Sequence, residues 1–212
     1  MQERKLMEMV EAAGTIAIVG HVRPDGDCVG SCLAVCNYIT EQYPEKTVDV
    51  YLETPPAKFS YLKQFERISS DSNTGKQYEL CICLDSGDRE RLGNNVVYLD
   101  TAKTSICLDH HITNKGYAAK NFVNANASAT CEFLYDFLDE EKISKEVAEC
   151  IYTGIIHDTN VFKNSNTTAK TMEVAGAMME KGINFSQIID GSFYKKTYVQ
   201  NQIMGRAVLE SV

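Results

Sequence analysis

Five apolar runs of strand length, each closed by a polar or charged residue, constrain this chain more than any other feature. They are TIAIVG at 15–20, TVDVYLE at 47–53, YELCICLD at 78–85, VVYLD at 96–100 and SICLDHH at 105–111. Such near-continuous apolar character predicts parallel strands covered on both faces. NFVN at 121–124 fits a further edge strand. Helical spacing fills the intervals. Residues 2–13 read as a short helix ended by Gly14, and CVGSCLAVCNYITEQY at 28–43 as a longer one. Residues 57–66 fit a short helix, and 69–77 a surface loop.

Past residue 127 the pattern turns helical. Ser128 is placed to cap a helix through Leu138, and Ser144 to cap KEVAECIYTGIIH. Thr167 or Thr168 starts AKTMEVAGAMMEK, which Gly182 stops and in which Met172, Met178 and Met179 read as packing residues. FSQIID and a final helix near 194–211 follow, with Gly191 at the bend between them. The fold class expected is therefore α/β: a largely parallel central sheet flanked by helices, a helical second half and a C-terminal linker helix.

Composition excludes several functions. With 21 basic and 29 acidic residues the formal charge is −8, so a broad basic surface for duplex DNA is not expected. No run approaches the ~18 apolar residues of a membrane span. The opening MQERKLMEMVEAAG lacks a secretory h-region, so a cytoplasmic location without a membrane partner is expected. The eight cysteines form no CxxC pair. Cys28, Cys32 and Cys36 repeat at helical spacing and Cys81 and Cys83 alternate in a strand, which reads as buried thiols rather than disulfides or metal ligands.

All four histidines fall beside acids. In HVRPDGD, directly after a strand, His21, Asp25 and Asp27 can place nitrogen and oxygen ligands in one strand-end loop, although Asp27 can instead cap the next helix. Gly26 permits a tight turn and Gly30 a close approach near the helix start, but no GxGxxG or Walker pattern is present. Asp85 ends one strand, while Asp109, His110 and His111 end another. Open α/β sheets collect ligands at that edge. Asp88 and Asp100 compete for the same role, and Asp158 in HDTNVF can enter from a helix end. Carboxylate and imidazole together suit divalent manganese, magnesium, iron, cobalt or zinc, with manganese favoured where oxygen predominates. Two ions about 3.5–4 Å apart can share one carboxylate and orient a hydroxide.

HVRPDGDCVGS, LDSG, DHH and HDTNVF, in that order, resemble the four motifs of the DHH phosphoesterase superfamily. The likeness covers most of residues 15–193 and points to the bacterial branch that hydrolyses very short RNA and, in many members, 3′-phosphoadenosine 5′-phosphate. It implies two divalent ions, most readily Mn2+. His21, Asp25 and Asp85 would surround one ion; Asp27, Asp85, His110 and Asp158 would surround the other, with Asp85 as the bridge. His111 would face the scissile phosphate, Asp109 would support the site from behind the residues that touch metal and substrate, and Arg23 would add a phosphate contact. Manganese pyrophosphatase, cyclic-dinucleotide phosphodiesterase and a catalytically weak nucleotide-binding module are the competing readings. Asn160 stands where related sequences often have glycine. The branch also continues through a linker into a glycine-rich substrate-binding domain. Residues 1–193 are thus expected to form the catalytic domain and 194–212 a linker, with a homodimer as the assembly to test.

Overall fold

The computed structural model describes residues 2–211, with side chains described from Leu6 onward. Met1 and Val212, the two ends of the expected domain and linker ranges, lie outside the described residues. Six strands form one parallel sheet: β1 (Thr15–Val19), β2 (Thr47–Tyr51), β3 (Ile68–Ser69), β4 (Leu80–Leu84), β5 (Thr104–Asp109) and β6 (Lys120–Val123). Their order is β3-β2-β1-β4-β5-β6, and every pairing is parallel. The order reverses between β1 and β4, which opens a crevice at the carboxyl ends of those strands.

Alternation along each strand feeds two cores. Ile16, Ile18, Val48, Val50, Leu80, Ile82, Ile106 and Leu108 enter the larger one. It is completed by α1 (Gln2–Ala12), α2 (Gly26–Gln42), α4 (Thr130–Tyr135), α5 (Lys145–Asp158) and α6 (Ala169–Glu180). The intervening positions Ala17, Val19, Tyr51, Cys81, Cys83 and Cys107 form a smaller core with Tyr98 and Leu99 of α3 (Val96–Thr101). Covering both faces explains why β4, in the middle of the sheet, is apolar at every position. All eight cysteines are buried and unpaired.

Several local expectations need correction. VVYLD is helical rather than a strand: it lies in α3, which packs Tyr98 and Leu99 into the smaller core. This helix supplies the crossover that parallel β4 and β5 require. Residues 57–66 form only 3-10 turns, Ala57–Phe59 and the start of Phe65–Arg67. Asp25, rather than Asp27, caps α2 by accepting from the amides of Asp27 and Cys28. Ala129 occupies the N-cap of α4 without a side-chain bond, because Ser128 turns its hydroxyl and amide to Glu132. Met178 is buried, whereas Met172 and Met179 are exposed.

Ser144 and Thr168 cap α5 and α6 as their spacing predicts. After α7 (Phe185–Ile188), Gly191 lies inside a π-type turn, Ile189–Tyr194, and the chain breaks away at Lys195 instead. The last helix, α8 (Tyr198–Glu210), starts later than expected and has no buried residue. Among the described residues, no helix is long and apolar enough to cross a membrane.

Helices α2 and α5 meet at two glycines. A Cβ on Gly30 would stand 2.6 Å from the Cys150 carbonyl oxygen, and one on Gly154 would stand 2.5 Å from Asp27 Oδ1. We expect Gly30→Ala to lower stability by about 1–3 kcal/mol, as overpacking does. Urea unfolding checks this, and an unchanged midpoint would mean that the helices can separate freely.

Candidate metal centre

The loop leaving β1 places three site residues within seven positions. Pro24 and the positive φ of Arg23 (54°) turn the chain sharply, and Asp25 stops it by capping α2. Gly26 admits the His157 ring, which would lie 2.2 Å from any Cβ there. Asp27 is fully buried and accepts from the amides of Thr130 (2.6 Å) and Cys131 (2.9 Å). Asp85 follows β4 with φ 53°, in the left-handed region, a strained state for a residue with a Cβ. The Thr130 hydroxyl donates to its Oδ1 at 3.0 Å. Asp158 enters from the end of α5, followed by Asn160, Val161 and Phe162, all with positive φ. Positive φ at a β-branched valine is a strong local constraint, and it fixes how the chain leaves Asp158.

Asp85 lies between two imidazoles. Its Oδ2 is 3.4 Å from His21 Nε2, and its Oδ1 is 3.6 Å from His110 Nε2. His110 Nε2 also lies 3.2 Å from Asp158 and 3.9 Å from Asp27. The opposite nitrogens face carbonyls: His21 Nδ1 is 2.8 Å from Val22 O and His110 Nδ1 is 3.3 Å from Ala127 O. With those Nδ1 atoms protonated, both Nε2 atoms keep a lone pair for a cation, the orientation typical of ligating histidine. His111 differs. Its Nδ1 meets Asp109 Oδ1 at 2.7 Å, and Asn114 donates to the other Asp109 oxygen at 2.7 Å.

The electrostatics favour added positive charge. Burial, and then the charges of Asp85 and Asp158, push the Asp27 carboxyl well above its ordinary range. Burial likewise raises Asp158, with His110 opposing it. Burial works against a charged His110, but the Asp158 hydrogen bond and the Asp27 and Asp85 charges push it up to about 10. Burial also opposes charge on His21, and Asp25 and Asp85 overcome it. Asp109 is buried too, yet His111 and Asn114 hold it below the usual carboxylate range.

Three groups have potential ligand atoms mutually within 4.8 Å: His21 with Cys28 and Asp85; Asp85 with His110 and His111; and Asp27 with His110 and Asp158. Crowded oxygen and nitrogen donors of this kind fit divalent cations. Asp25 Oδ1 lies 3.7 Å from His21 Nε2, but it is also the oxygen that caps α2. Arg23 is exposed, and its backbone amide donates to Glu53. Asp88 accepts from the Arg91 amide, and Asp100 pairs with Arg89, so the fold gives both competing acids other partners. Sequence reasoning missed Cys28, Thr130 and Asn114 at the site. They are ordinary residues locally, and only long-range packing makes them neighbours of the cluster.

Because Asp27 and Asp158 retain protons above their usual range and His110 is also protonated, a cation must displace protons to bind. Protonated forms dominate at low pH, so affinity rises with pH. The stabilisation by manganese should therefore be larger at pH about 8 than at about 5.5, reaching about 2.7 kcal/mol when free ion is a hundred times its Kd. Thermal unfolding with manganese and with chelator checks this. Equal stabilisation at both pH values would contradict it.

The fold and site define a class: an open parallel α/β domain carrying a carboxylate–imidazole centre at the reversal of strand order. Residues 15–155 match the DHH family, N-terminal domain, and the chain belongs to this family of phosphoesterases. It is 30% identical over 200 residues to the bifunctional oligoribonuclease and PAP phosphatase NrnA of Bacillus subtilis, covering 92% of this chain and 62% of that protein. A probable NrnA from Streptococcus mutans is 31% identical, with coverage of 87% and 58% respectively. The chain thus spans less than two thirds of the length of these relatives. An exopolyphosphatase-related protein from Bacteroides fragilis superposes with a TM-score of 0.88 at 24% identity, over 97% of this chain and 64% of that one. A putative family II inorganic pyrophosphatase from Methanococcus jannaschii gives 0.61 at 18%, over 83% and 61%. These two likenesses concern the fold alone.

Proposed function

We propose that this chain is the hydrolytic domain of a manganese-dependent phosphoesterase acting on short oligoribonucleotides and on 3′-phosphoadenosine 5′-phosphate. The similarity to the NrnA proteins supports the substrate class. The observation that carries the reading is Asp85, whose two oxygens face different imidazoles. His21, Asp25 and Asp85 would hold one divalent ion, and Asp27, Asp85, His110 and Asp158 the other. Bound there, such ions supply a nucleophile at neutral pH and neutralise charge on a phosphoryl oxygen.

The chain's own groups complete the reaction centre. His111 donates from Nε2 to a phosphoryl oxygen, while Asp109 fixes its Nδ1–H and ring orientation. Asn114 locks Asp109 in turn. Thr130 holds Asp85 and, through its amide, Asp27, so one residue steadies carboxylates that follow two different strands. In this reading residues 1–193 are the catalytic unit and 194–212 the linker, in a cytoplasmic enzyme that is tested for dimerisation by light scattering.

The test is product identification by mass after incubating manganese-loaded chain with short RNAs, the adenosine bisphosphate, pyrophosphate and cyclic dinucleotides. Mononucleotides released from short RNA are expected. Turnover of pyrophosphate or cyclic dinucleotides alone would overturn the assignment. Ligand retention without any product would leave a binding module.

A further inference from the structure

A second concavity lies beside the metal centre, and the reaction as proposed does not use it. Its volume is about 1120 Å³, and its walls come from the Pro56–Tyr61 segment, α5, α7, the π-type turn and the start of α8. His157 touches both Gly26, which precedes Asp27, and Phe193 of the cavity wall. That imidazole rests on Gly26, meets Phe59 at 5.1 Å and Phe193 at 5.3 Å between ring centroids, and lies 3.2 Å from the Ser192 hydroxyl. Burial pushes His157 down to about 4, so the ring is neutral at physiological pH. The adjoining residue, Asp158, belongs to the metal centre.

The lining has an unusual charge for this molecule. Lys58, Lys195 and Lys196 face the cavity with one acid, Glu149, in a chain whose formal charge is −8. Among the described residues, none of these lysines forms an ion pair. Lys58 lies over the Phe59 ring, with Nζ 4.9 Å from its centroid, and burial lowers its pKa below the ordinary lysine value, an effect the Asp25 charge opposes only in part. Aromatic surface is present as well. Phe193 is held edge-on by His157, and Tyr61 is fixed by a 2.6 Å bond between its hydroxyl and that of Thr153. Asn184, Gln187 and Gln200 add amides that can both donate and accept.

Cations, aromatic faces and amides in one concavity match the phosphate, base face and base edge of a nucleotide. We propose that this cavity is a nucleotide subsite, binding the nucleoside and phosphate next to the bond cleaved at the metal centre. The inference rests on the function proposed above, and it deepens that reading by saying where the second nucleotide of a short RNA sits. It explains a preference for oligonucleotides by recognition of phosphate and base rather than of sequence.

Calorimetric titration of a 5′-phosphorylated diadenosine dinucleotide into the whole chain tests it. Chelator prevents turnover, and salt is varied. Lys58→Ala and Lys196→Ala should each weaken binding about fivefold to tenfold and lower the slope of log K against log salt by ~0.7. Lys103→Ala, on a lysine paired with Glu79 outside the cavity, should match the unaltered chain. Urea midpoints confirm that the variants fold, and Lys58→Gln repeats the test with the side-chain stem kept. Absence of saturable binding would overturn the proposal, as would equal effects of Lys103→Ala and the cavity variants. Cleavage with manganese is measured in parallel. Lysine-dependent binding without cleavage would sink the catalytic reading and leave the subsite standing; cleavage and binding indifferent to both lysines would do the reverse.

Discussion

Replacing Asp85 with Asn is expected to cut phosphoester turnover at least about a thousandfold while leaving the metal-free fold intact or firmer. The two effects run in opposite directions for separate reasons. Asp85 faces both His21 and His110, so losing its charge removes the group shared by the two proposed ion positions. Its backbone, however, is left-handed at φ 53°, and Asn adopts that conformation more readily than most residues. Removing one charge from the carboxylate cluster also relieves repulsion on Asp27 and Asp158, both of which are raised in part by Asp85. Urea unfolding in chelator should therefore show stability unchanged or increased by up to about 1 kcal/mol. Elemental analysis after manganese loading should fall from near two ions per chain. Retention of both ions by a folded Asp85→Asn would remove the bridge from the proposal.

The second large effect separates the paired histidines. His110→Ala should lose metal, because its Nε2 faces Asp27, Asp85 and Asp158 together. His111→Ala should retain most of the metal and lose about a hundredfold to a thousandfold in kcat, the scale of a lost transition-state donor. The difference arises from orientation: His110 turns Nδ1 to a backbone carbonyl, whereas His111 turns Nδ1 to Asp109. Asp109→Asn provides an intermediate variant. An amide there can leave the His111 tautomer wrong, so turnover should drop with metal content preserved. Equal metal loss in His110→Ala and His111→Ala, both shown to be folded, would contradict the division.

Much of the architecture was legible in the linear pattern. TIAIV, TVDVY, LCICL and SICLD became β1, β2, β4 and β5 because their mostly apolar residues suit strands covered on both sides. VVYLD was misread because five apolar-rich residues satisfy either period, and in the fold they form α3, which packs Tyr98 and Leu99 against the smaller core. The two-residue β3 was too short to carry a pattern. HVRPDGD was informative because its histidine and acids share one loop, but the identity of the capping acid was not, since Asp25 and Asp27 both precede the helix plausibly.

By itself, then, the sequence determined the α/β class, the strand-end placement of His21, Asp85 and Asp109, and the family resemblance carried by the ordered motifs. Those properties depend on neighbours a few positions apart, where side-chain period and turn chemistry act directly. The tertiary structure alone decided the strand order, the distances at which Asp27, Asp85 and Asp158 meet His110, and the partners Thr130, Cys28 and Asn114. It also decided that a lysine-lined concavity has Phe193 in its wall, against the His157 ring that rests on Gly26. The physical reason is that these contacts join residues as far apart as Asp27 and Thr130. They exist only once helices pack across a parallel sheet, and no local periodicity records which distant segments that packing brings to the same edge.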